Sequence, residues 1–161
     1  MTNKEKLEKK IGEALGLEKA AQAAVEELSA KGLLDEDGMK DKLQTMKKQA
    51  NNHQITLEGF IQALSESEDL NSENIRTIAQ ETEQKASEIM KTYLGEDLDS
   101  SEAIEFLCLA EGGEVTHYEV LGTMTKGVKN KKFGTKLKSI LAEEKKHLRL
   151  CTRLAKQIAT A

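Results

Sequence analysis

Apolar residues return at spacings of three and four along five separate stretches of this chain, and no proline interrupts any of them. That rhythm matches the α-helical turn, and proline is the residue most able to break one. The first seam is Leu7, Ile11, Ala14, Glu18, Ala21, Val25 and Leu28, and the second is Leu43, Met46, Ala50, His53, Leu57, Phe60 and Leu64. A third face carries Ile75, Ile78, Thr82, Ile89 and Tyr93; a fourth carries Ile104, Leu107, Glu111, Glu114, His117/Tyr118 and Leu121. The last carries Leu137, Leu141, Glu144, His147/Leu148, Cys151, Leu154 and Ile158. Helices are therefore predicted over about 3–32, 36–65, 72–95, 100–127 and 134–160, within a single domain spanning 1–161. Thr2 or Asn3, Asn71 or Ser72, and Ser100 or Ser101 are the expected N-terminal caps, while Gly32 and Gly95 are the expected stops. The basic stretch from Gly127 to Gly134 reads as a solvated turn.

Composition supports an all-α fold and narrows the function. Of 161 residues, 3% are aromatic and 32% charged, there is no tryptophan, and no strand pattern emerges. The net charge of −4 gives no basic footprint for nucleic acid, and no run is long and apolar enough for a membrane span. The N-terminal M-T-N-K-E-K-L-E-K-K lacks a signal-peptide core, and two cysteines make no disulfide framework, so a cytoplasmic location is expected. Two short turns and one long connection predict antiparallel hairpins joined by a helical crossover, a four-helix bundle of ferritin-like arrangement. The alternative is a five-helix bundle whose third helix shares the core equally.

All three histidines fall on apolar seams, and two follow a glutamate by three residues: Glu114/His117 and Glu144/His147. Residues three apart share a helix face, so a buried pair of this kind makes a claw for a divalent metal. With the first turn at residue 34, Glu18 lies 16 residues before it and Ala50 16 after, three short of His53. With the second turn at 129, Glu114 lies 15 before and Glu144 15 after. The hairpins thus repeat, Glu18 with Ala50-x-x-His53 and Glu114 with Glu144-x-x-His147, and only Ala50 departs from the usual di-metal pattern. On its own His53, without a carboxylate companion, reads as a core or interface histidine. A buried, unpaired Glu18 would cost several kcal/mol. Gly112 and Gly113 point either to a helix irregularity or to close packing, and Tyr118 either to a hydrogen-bond donor beside the site or to core. By the same register Cys108 and Cys151 should lie at one height.

The segments V-T-H-Y-E-V-L-G and L-A-E-E-K-K-H-L-R-L-C-T-R-L-A resemble a bacterial ferritin-like stress-protein family whose fourth-helix motif reads V-E-H-Y-E. The resemblance covers roughly residues 100–160 and is looser over the first two helices. It implies Glu18, Glu114, His117, Glu144 and His147 near a di-metal site. Thr116 stands where that family has Glu, and the second helix offers Gln49, Asn51 and Asn52 instead of a carboxylate. Glu111 and His117 are the candidates to substitute for the missing ligand. The implied cofactor is two iron or manganese ions, or one in a degraded site, with oxygen or peroxide as substrate and a role in oxidative stress or iron oxidation. A homodimer is the prior for such a chain. The competing expectation is a metal-free helical scaffold or dimerising stress protein.

Overall fold

Thr2 opens the first helix with a complete capping box: its hydroxyl accepts from the Glu5 backbone N–H, and the Glu5 carboxylate accepts from the Thr2 backbone N–H. In the computed structural model, which describes residues 1–36 and 38–161, five α-helices follow: α1 Asn3–Ala30, α2 Met39–Ser67, α3 Ser72–Leu94, α4 Ser100–Met124 and α5 Lys131–Ala159. A single 3₁₀ turn, Thr125–Gly127, follows α4, and the described residues contain no strand. Among the described residues no helix is long and apolar enough to cross a membrane.

Helix ends depart from expectation where the backbone forces them to. The predicted second helix includes Asp37, which lies outside the described residues. Among those described, α2 starts only at Met39, because Gly38 sits at φ 74°, a left-handed conformation a helix cannot contain. α3 and α4 are capped by Asn71 and Asp99, whose side chains accept from the Asn74 and Glu102 N–H groups. The solvated turn expected up to Gly134 is corrected: α5 begins at Lys131, and Phe133 is fully buried with its ring 5.1 Å from that of Phe60.

The helices run alternately up and down, so α1, α3 and α5 are parallel. Their apolar faces build two clusters. One, at the α1 N-terminal end, contains Leu7, Ile11, Leu57, Ile61, Leu121 and Phe133. The other, at the opposite end, contains Val25, Leu28, Leu43, Met46, Leu107 and Leu154. Cys151 lies within this second cluster and Cys108 packs against it, so the two sulfurs share one end of the bundle as the register required. Burial of each such side chain is worth roughly 1.5–3 kcal/mol. Between the clusters lies a layer that is almost entirely polar.

α3 is more than a connector. It lies along α1, starting where the Glu8 carboxylate accepts from the Asn71 backbone N–H and the Asn74 amide, 2.8 Å each. The face expected to be buried is corrected: Ile75 is buried, but Ile89 and Tyr93 are exposed, and Ala79, Met90 and Leu94 are buried instead. Contact with α1 is made over Gly12 and Gly16. A Cβ at Gly16 would stand 2.5 Å from the Ala79 carbonyl oxygen and 2.7 Å from Thr82 Cβ; at Gly12 it would stand 2.8 Å from the Ile75 carbonyl oxygen. By contrast Gly112 and Gly113 face open space inside a continuous helix, so neither reading of those two glycines holds.

These contacts predict opposite outcomes for one substitution at two sites. Gly16→Ala adds a better helix former but forces two backbones apart, and overpacking of this kind costs about 1–3 kcal/mol. Gly59→Ala, on the open face of α2, meets nothing and should stabilise by up to about 1 kcal/mol. Thermal unfolding should show the first variant melting below the parent and the second above it. Equal shifts would mean that α1 and α3 are not held at this spacing.

Candidate metal centre

α1, α2, α4 and α5 each send at least one ionisable side chain to the same mid-height layer, where Glu18, His53, Glu111, Glu114, Glu144 and His147 are all buried. Glu144, on α5, is central and 0% exposed. One of its oxygens lies 2.8 Å from His53 Nδ1, which also faces Glu18 at 3.3 Å. Its other oxygen lies 3.5 Å from His147 Nδ1, which faces Glu111 at 3.7 Å. The residues thus form two sets, Glu18–His53–Glu144 and Glu111–Glu144–His147, each offering ligand atoms within 4.8 Å of one another. Glu144 belongs to both.

The outer edges of the two imidazoles are also defined. His53 Nε2 lies 2.9 Å from Glu143, and His147 Nε2 lies 2.6 Å from the Gln49 side-chain oxygen. With those acceptors holding the Nε2 protons, each ring turns its Nδ1 inward; without a cation that atom carries a proton facing Glu144, and loss of this proton would free it to ligate a metal, the arrangement that metal-ligating histidines adopt. The ring centroids are 5.9 Å apart and the planes are inclined by 27°. Tyr118 donates to Glu18 at 3.2 Å, which selects the polar reading of this residue.

Many atoms in the layer nevertheless have no hydrogen-bond partner: one oxygen each of Glu18, Glu111 and Glu144, both of Glu114, and His147 Nδ1. A buried polar atom left unsatisfied costs roughly 1–3 kcal/mol. Electrostatics tell the same story. Burial, then the Glu144 charge, pushes Glu18 well above the usual carboxylate range. Burial, then the charges of Glu111 and Glu144, does the same to Glu114. Burial raises Glu111 to about 7, although the neighbouring His147 imidazole opposes it. Burial would raise Glu144 too, but the adjacent His147 imidazole and the hydrogen bond with His53 hold it well below. Burial would lower the histidines, yet Glu144 with Glu18 lifts His53 to about 11, and Glu111 with Glu144 lifts His147 to about 9. Without a cation, protons must take the place of positive charge here.

Compared with known proteins, the chain matches no protein-family profile, no curated protein and no solved structure. The site has to be read from its own geometry.

Five of the seven residues singled out from the sequence come together in the two sets: Glu18, His53, Glu111, Glu144 and His147. Glu114 is beside them but outside both. His117 is corrected: its ring turns away from the layer, Nδ1 lying 2.8 Å from the Gly113 carbonyl and Nε2 2.9 Å from Glu13. The reason is angular. Each step of three residues falls about 60° short of a full turn, so His117 is about 120° around α4 from Glu111. The Glu114/His117 pair is therefore no claw. Sequence reasoning missed Glu143 and passed over Gln49 as a partner for His147; their only signal is adjacency to Glu144 and Ala50.

Proposed function

We propose that this chain is a ferritin-like metalloprotein that holds two divalent iron or manganese ions within its bundle and uses them in oxygen- or peroxide-linked redox chemistry in the cytoplasm. The observation that carries this reading is the pair of three-residue sets sharing Glu144, with an inward Nδ1 on each side. Glu18 and His53 would hold one ion, Glu111 and His147 the other, and Glu144 would bridge them. The four glutamates of the layer, Glu18, Glu111, Glu114 and Glu144, carry a charge of −4 when ionised, which two divalent ions neutralise. Carboxylate and imidazole donors without thiolate suit iron and manganese. When bound, such ions supply electrons to oxygen or peroxide. The protein's part is to fix the imidazoles through Glu143 and Gln49, to orient Glu18 through Tyr118, and to keep bulk water out with the apolar clusters above and below.

The test is titration of chelator-treated protein with iron(II) under anaerobic conditions, or with manganese(II), followed calorimetrically. Two equivalents per chain are expected, with oxygen or peroxide consumption by the iron-loaded protein; no saturable uptake of either ion would overturn the reading. The pH dependence has a definite sign. A group whose folded pKa is raised contributes stability below its unfolded value and loses it as pH rises through the folded value. For His147 that window runs from 6.5 to about 9. Metal-free protein should therefore melt progressively lower across this range. Metal binds the deprotonated ligands, so its affinity and its stabilising effect should grow over the same range.

Two observations favour a second reading, a metal-free bundle with a polar core. Ala50 leaves α2 without a carboxylate at the layer, and the direct Glu144–His53 contact partly satisfies both groups.

A further inference from the structure

Among the described residues six large apolar side chains are exposed, and four of them, Ile89, Tyr93, Leu109 and Val120, lie on α3 and α4. The Tyr93 ring stands 5.7 Å from that of Phe106, one turn before Leu109. α3 runs antiparallel to α4, so Ile89, one turn back from Tyr93, is level with Leu109. Along α4 the same face continues as Leu109, Gly113, Thr116 and Val120, spaced four, three and four. That is the rhythm of a packing seam, and it is the second on this helix, since Ile104, Leu107, Tyr118 and Leu121 are buried on the other side. Thr116 donates its hydroxyl to the Gly112 carbonyl at 3.1 Å, which satisfies its polar atom within the helix. A helix apolar on both faces is suited to being covered on both. Within one chain, however, nothing stands within 4 Å of a Cβ placed at Gly112 or Gly113.

We propose that this face binds a second copy of the chain, with α4 lying antiparallel on the partner's α4 about a two-fold axis between Glu114 and Val115. The seam is self-complementary about that point, as an isologous contact requires. Leu109 falls opposite the partner's Val120, and Gly113 opposite the partner's Thr116, so a large side chain meets a large one at each end and a missing one lets the backbones close at the centre. Charge agrees. The same two-fold brings the exposed Glu105 to within two residues of level with the partner's exposed Lys126, twice over. A parallel arrangement would set Glu102 and Glu105 against their own copies. The area is sufficient. α4 has 25 residues and is about 37 Å long, and with α3 beside it the face is roughly 20 Å wide, or roughly 700 Å². A standard stable interface covers about 800 Å² per partner. The contact does not rest on the metal reading, because it uses the outside of α4 and the candidate ligands lie inside.

The experiment is sedimentation velocity of the full chain over a range of concentrations. At about 10 μM the main species should have twice the 17.8 kDa mass of one chain. Gly113→Leu meets nothing within its own chain but places a side chain against the partner's Thr116 on both sides of the axis, and should weaken dimerisation at least about tenfold with the circular dichroism spectrum unchanged. Val120→Arg, which sets a charge against the partner's Leu109, should do the same and serves if the first variant does not fold. Glu105→Lys and Lys126→Glu should each weaken the dimer by roughly threefold, and the double variant should regain parental affinity, because it restores both pairs with the signs exchanged. The proposal is overturned by any of three results: a chain that stays monomeric, which would leave the face to an unlike protein; parental dimerisation in the folded Gly113→Leu and Val120→Arg variants; or a charge-exchanged double variant no tighter than the single ones.

Discussion

Glu144→Gln is expected to abolish uptake of both divalent ions, whereas Glu18→Gln and Glu111→Gln should each leave one. The difference follows from Glu144 being the only residue common to the two ligand sets. Glutamine keeps the size and one carbonyl oxygen but removes the charge that both ions and both histidines face. In metal-free protein the same change leaves His53 and His147 without their shared counter-charge. Removing one partner from a buried ion pair costs on the order of 3–5 kcal/mol, so the variant should also melt well below the parent. Metal content of folded protein, verified by circular dichroism, decides the matter. Two ions retained in Glu144→Gln would remove the bridging role. One ion lost in Glu144→Gln and two in Glu18→Gln would reverse the assignment.

Ala50→Glu should change sign with metal. Ala50 is 3% exposed on α2, one turn before His53 and next to Gln49. In metal-free protein the substitution buries a carboxylate in a layer already rich in them, and destabilisation by several kcal/mol is expected. In metal-loaded protein the new group supplies the one ligand missing from the symmetric pattern, and affinity should rise. Melting temperatures with and without manganese(II) separate the cases: the variant should lie below the parent without metal and gain more from it. A variant equally destabilised in both conditions would favour the metal-free polar core.

Much of this layout was legible in the sequence because charge in an apolar period is conspicuous. Glu18, Glu144 and His147 interrupt otherwise greasy seams, and counting back from two turns put them at one height with His53. The count failed where it treated a helix face as a plane: it took Glu114 and His117 as a unit, although His117 had already rotated onto Glu13. It also ranked Glu111 as a reserve, when Glu111 is the α4 residue that faces His147. The α3 face was misread for a different reason. Its contact with α1 is made by glycine and alanine, which carry almost no hydrophobic signal, so Ile89 and Tyr93 drew the seam toward solvent. Gly12 and Gly16, four apart and so on one face, were the available clue to that contact. Glu143 and Gln49 look like ordinary surface residues until the imidazoles they steady are in view.

The charged layer at mid-height has a consequence for alignment. Leucine faces alone would tolerate sliding, since one turn of slip, about 5.4 Å, brings similar side chains opposite one another. Here such a slip of α5 would carry Glu144 out of reach of His53 and Glu18 and into the leucines and methionines on one side or the other. Every out-of-step assembly then strands a charge in hydrocarbon. The waist between the two apolar clusters, costly in itself, leaves these helices a single way to stack.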